Sequence, residues 1–167
     1  MATGELTKAY LVNLETGERI PCLFNPNEYS ITKSNNWKET STQHSNVPRL
    51  EFTGGGPTQL KLELFFDTFE QGGSARDYVK DILKLAQISQ SGSGDSEPPR
   101  CMFSWGTNLE FEAVVSNVSA RFTLFRPDGT PVRAIVSLTL KECKDQDEQK
   151  GQNPTSQGTT GHKLWVV

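Results

Sequence analysis

Two glutamates two residues apart, Glu110 and Glu112, are the first place to look for chemistry. On a strand they share a face, and paired carboxylates are the working groups of glycoside hydrolysis. The same alternation is also what the wet face of an ordinary strand looks like. The chain's two histidines, His44 and His162, are far apart, one in a polar stretch and one near the C-terminus, so neither a shared metal site nor a Ser-His-Asp arrangement is expected. The three cysteines, Cys22, Cys101 and Cys143, match no zinc spacing. They read as reduced thiols, with a disulfide between two of them left open. Arg100 beside Cys101 would lower a thiol pKa, but no histidine is placed to act as its base. Gly54-Gly55-Gly56 lacks the Gly-Lys-Ser/Thr ending of a phosphate loop, and a strand pattern rather than a helix follows it. It reads as a turn or a close-approach site. No catalytic, cofactor or metal residue is assigned.

The elements around these residues are more informative. Leu60, Leu62, Leu64 and Phe66 alternate with Gln59, Lys61, Glu63 and Phe65, which places one set in a core and most of the other toward water. Val132, Ala134, Val136, Leu138 and Leu140 alternate in the same way with Arg133, Ser137, Thr139 and Lys141. Strands are also predicted over 8–14, 18–24, 29–33, a short run at Leu50 and Phe52, 100–105 and 109–125, the last with a bend at 116–119. Pro127, Asp128 and Gly129 mark a hairpin turn. Residues 39–48 are nearly all polar and read as a long connection. Between 74 and 88 the apolar period changes to that of a helix of about four turns, with Ser74 as N-cap and Asp77 in its first turn. About eight strands and one helix give an α+β, mainly antiparallel β architecture, a barrel or two-sheet sandwich with one flanking helix.

Composition narrows the function classes. Of the 167 residues 34% are hydrophobic, and the formal charge is −3, a poor balance for holding phosphates, so nucleic acid is not an expected partner. No apolar N-terminal run resembles a signal peptide, which points to synthesis in the cytoplasm. The expected division is a folded domain over 1–143, a flexible linker over 144–161 that is too polar to fold alone, and at 162–167 the start of a further element.

Several segments together resemble contractile injection system tube proteins: Phe24-Asn25-Pro26-Asn27 with the following Tyr29 to Trp37, Leu60–Phe66 with Asp67-Thr68, and Val114 to Glu142. The resemblance implies a subunit of the phage tail-tube type, a non-enzymatic structural protein without cofactor that forms a homo-hexameric ring. Six copies would join their sheets into an inner cylinder whose lumen is faced by Lys61, Glu63, Arg133, Ser137, Thr139 and Lys141. Residues 39–56 would reach an adjacent ring, with Trp37, His44, Arg49, Phe52, Gly54, Gly55 and Phe65 as contact candidates. The implied partners are further copies of the chain, a spike protein, the inner tube protein and baseplate or sheath components. Such particles act in the cytoplasm, anchored at a membrane, or after release. Extended members of the group often carry a LysM-type module, and His162–Val167 is compatible with its start. The tailed C-terminus favours a tube-initiator ring over a repeating tube subunit. Two rival classes stand beside this reading: a β-barrel holding a small apolar ligand, and a carboxylate-based glycan hydrolase using Glu110 or Glu112.

Overall fold

A computed structural model describes residues 4–41, 43, 45–88 and 96–143. Seven strands and one helix follow in the order β1 (Ala9–Asn13), β2 (Arg19–Pro21), β3 (Tyr29–Thr40), β4 (Arg49–Asp67), α1 (Ala75–Lys84), β5 (Cys101–Trp105), β6 (Leu109–Phe125) and β7 (Pro131–Glu142). All pairings are antiparallel, and the strands form one open sheet in the order β2-β1-β5-β6-β7-β4-β3. The mainly antiparallel α+β class is the one expected.

The seventeen-residue β6 makes this sheet into two halves. Its first five residues pair with β5, whereas from Ala113 onward it pairs with β7 on its other side. The ladder slips between Val115 and Asn117, at the predicted bend. A bulge there kinks the strand and increases its twist. Leu11, Ile20 and Phe103 from one half and Leu60, Leu64, Phe66, Val136 and Leu138 from the other then close on a single core. The helix lies over β7 and β4, reaches β2, and contributes Val79, Ile82 and Leu85. Tyr78 stacks on Phe66 with ring centroids 5.3 Å apart. All five inward residues expected on β7 are buried.

The helix starts as expected: the Ser74 hydroxyl accepts from the Arg76 amide at 3.2 Å. It has ten residues, shorter than the expected four turns; past the buried Leu85, residues 86–88 are all exposed, so a further turn would add no burial. Two expected strands are one. The run at Leu50 and Phe52 and the run 59–66 are both β4, and the three glycines lie inside this strand rather than in a turn. Trp37, expected in a polar segment, lies in β3. The connection expected over 39–48 begins only at 41. Pairing with β3 outweighs the low strand propensity of glycine here, and two register slips absorb the extra β4 residues. Gly56 is required by close approach, since a Cβ would stand 2.8 Å from the Ser34 hydroxyl and 3.0 Å from its carbonyl oxygen. All three thiols are free, and burial pushes those of Cys22 and Cys101 up to about 12. The segments 144–161 and 162–167, and both histidines, lie outside the described residues.

Candidate assembly surface

On β4 and β7, side chains that do not enter the core form a second face. Lys61 lies opposite Thr139, Glu63 opposite Ser137, Phe65 opposite Ile135, Gln59 opposite Lys141 and Asp67 opposite Arg133. All six residues expected to share a polar face therefore do share one. β6 extends it with Asn117, Ser119 and Arg121, which stand opposite Thr139, Ser137 and Ile135. β3 extends it on the other side with Ser30 opposite Lys61 and Thr32 opposite Gln59. The site candidates read from the sequence did not include these flanking residues. Their signal was present in the alternation of Val118, Ala120 and Phe122 with Ser119 and Arg121.

The face is mostly polar, and two of its charges pair with one another. The Ser137 hydroxyl lies 3.4 Å from Glu63. Arg133 donates through Nε and an Nη to one Asp67 oxygen at 3.0 and 2.7 Å. The Phe69 amide first, and then the Arg133 guanidinium, hold the Asp67 carboxyl below its ordinary range. Arg133 also lies over the Phe65 ring, which packs on Phe24 at 5.5 Å. Phe65 is one of the contact candidates. It points away from the helix, and Phe66 makes the helix contact. A cleft of about 830 Å³ opens above this face, lined among others by Phe24, Tyr29, Lys61, Glu63 and Thr139.

Beyond Gln59 β4 loses β7 and continues only with β3, as a two-stranded ribbon from Lys33 to Thr40 and Arg49 to Thr58. At about 3.3 Å per residue its ten β4 residues project roughly 30 Å. Trp37 and Phe52 meet edge-on at 5.3 Å, yet both remain more than half exposed. Arg49, Gly54 and Gly55 also belong to the ribbon, so of the contact candidates Phe65 alone lies elsewhere among the described residues.

The four-strand half β6-β7-β4-β3 has open margins on both sides. β3 is the end of the sheet, and its twelve residues are all exposed. On the other side β5 stops at Ala113, so among the described residues the twelve-residue stretch 114–125 of β6 has no strand on its β5 side. Such margins are templates for another chain.

The sequence matches contractile injection system tube proteins over residues 5–151. The chain belongs to that family. No curated protein matches it. As a tube protein it is a structural component, in a family that is not one of enzymes, and it assembles with other parts of a contractile particle. Glu110 and Glu112 fit this: both are exposed on β6, and Glu112 lies 3.5 Å from Arg100. Among the described residues no group of His, Cys, Asp or Glu is placed to hold a metal ion, and no helix is long and apolar enough to cross a membrane.

Proposed function

We propose that this tube protein closes into a homo-hexameric ring, the tube-initiating ring of the baseplate, between the spike and the inner tube. The observation that carries the reading is the pair of twelve-residue open margins flanking a four-strand unit with one polar face. Strand directions alternate across the unit, so β3 of one copy meets β6 of the next antiparallel, the orientation of every other pair in the sheet. Six such units make a barrel of about 24 strands. With strands about 4.8 Å apart and tilted by about 40°, it is roughly 48 Å across between backbone centres.

In that ring Lys61, Glu63, Arg133, Ser137, Thr139 and Lys141 face the lumen, a surface of small hydroxyls and charged side chains over which cargo slides without sticking. The ribbon carries Trp37, Arg49, Phe52, Gly54 and Gly55 to a neighbouring ring. The ring then adapts the spike to the tube and templates polymerisation, and sheath contraction drives it outward.

Imaging of purified protein tests the reading. Six-subunit annuli roughly a hundred ångströms across are expected, an inner barrel with a second sheet layer and a helix outside it. Monomers at all concentrations overturn it, and long self-assembled tubes assign the chain to the repeating position instead. Deleting 40–46 should leave annuli intact and abolish stacking on tube protein; unchanged stacking rules out the ribbon as the inter-ring contact.

A further inference from the structure

The two open margins match in more than length. On the core side β3 presents Tyr29 and Ile31, which lie opposite Leu62 and Leu60 yet are 44% and 53% exposed. On the core side of β6 stand Val118, Ala120 and Phe122, packed on the core from one side only. On the opposite face both margins are polar, with Ser30 and Thr32 on β3 and Asn117, Ser119 and Arg121 on β6. Glu28 beside β3 and Arg121 on β6 are both exposed, and neither is among the ion pairs of the described residues. A second copy of this chain, apolar where the first is apolar and cationic where it is anionic, covers both margins at once.

Geometry fixes how the copies register. Within one copy Tyr29, Leu62, Leu138 and Val118 form a row across the four strands. An unstaggered ring would set Tyr29 against Val118 of the next copy. A closed barrel cannot be unstaggered. For about 24 strands tilted by roughly 35–45°, closure needs a total stagger of about 24–35 residues, or about four to six per copy. The stagger must be even, or apolar residues of one margin would face the lumen of the other. Its direction is set as well. The opposite sense runs β3 into residues 109–113 of β6, whose margin β5 already occupies. A stagger of six would set Ser30 against Thr123, where the β6 ladder slips between Phe122 and Leu124.

Resting on the ring reading above, we infer that the copies meet with a stagger of four, Ser30 of one lying opposite Arg121 of the next. Tyr29 then covers Phe122 and Ile31 covers Ala120. Arg121 lies diagonal to Glu28, a separation that long side chains span. The same register carries Trp37 to the level at which the next copy's β5 begins. There β3 must leave the neighbour, and its ladder with β4 slips before Asn35 and again after Asn36.

Cysteine scanning across the joint tests this. Residues opposite one another on paired strands lie within disulfide reach. In a Cys143→Ser background, a chain carrying Ser30→Cys and Arg121→Cys should, after mild oxidation of assembled rings, give a ladder on a denaturing gel that stops at six subunits. Ser30→Cys combined with Asn117→Cys, Ser119→Cys or Thr123→Cys should cross-link at least tenfold less. Strongest linkage at Asn117, Ser119 or Thr123 overturns the register, as does absence of any linkage while annuli are visible. Absence of annuli from the wild-type chain overturns the ring itself, and this inference with it. Charge exchange gives a second readout: Glu28→Arg or Arg121→Glu alone should lower the ring fraction several-fold, and the two together should restore it. Failure of the double variant to recover, with each single variant impaired, removes the Glu28–Arg121 pairing and the stagger of four.

Discussion

β7 and β3 are both twelve residues long and lie two places apart in one sheet, with β4 between them. In β7 alternate residues are buried, and strands flank it on both sides. In β3 every residue is exposed, and one side has no strand. Length and backbone geometry do not account for the difference. β7 is held by the core of its own copy. β3 keeps the period of two only at Tyr29 and Ile31, and both remain exposed although they lie opposite the buried Leu62 and Leu60. If the ring forms as proposed, burial of β3 comes from assembly rather than from the fold of one copy.

Substitution should separate the two strands most sharply. Leu138→Ala on β7 removes a side chain that is 1% exposed and should cost about 2–5 kcal/mol in denaturant unfolding of the dispersed subunit. Ile31→Ala on β3 should fall within about 0.5 kcal/mol in the same measurement, while sedimentation shows the ring fraction collapsing. Equal losses in the dispersed subunit would erase the distinction between the strands.

Gly56→Val comes next in size. The added side chain meets Ser34 backbone and hydroxyl atoms, so about 1–3 kcal/mol of local destabilisation is expected, read as faster amide exchange in the ribbon with β7 unchanged. Smaller still is a pH effect. Because the folded Asp67 carboxyl lies below its unfolded value near 4, its contribution is present above that pH and is lost as pH falls through the folded value. For a partly exposed pair this is at most about 1 kcal/mol, and Asp67→Asn should remove that component of the acid transition. Finally, thiol labelling of the folded subunit at pH 8 should modify Cys143 alone, since Cys22 and Cys101 are buried and hold their protons up to about 12.

What could be read in the sequence follows the same contrast. β7, the 59–66 part of β4, the Ser74 cap and the bend in β6 were legible because each is set by burial or by local bonding inside one copy. The ribbon was not. Gly54-Gly55-Gly56 has no periodicity to show, and a strand exposed on both faces leaves no alternation to find, so β4 read as two strands and a turn. The shared polar face of Lys61, Glu63, Arg133, Ser137, Thr139 and Lys141 was legible from period two alone. The open margin of β6 was not, because it depends on where β5 stops, a non-local fact that no segment of β6 encodes.

The account stands on Tyr29–Trp37 of β3 and residues 114–122 of β6 being each other's partners in neighbouring copies. Amide hydrogen exchange on dispersed and assembled protein reads this directly. The account predicts that assembly slows the outward amides of Tyr29–Trp37 and of 114–122 together, while those of β7 are already slow and do not change. Unchanged exchange in β3 and β6 within intact rings would contradict it.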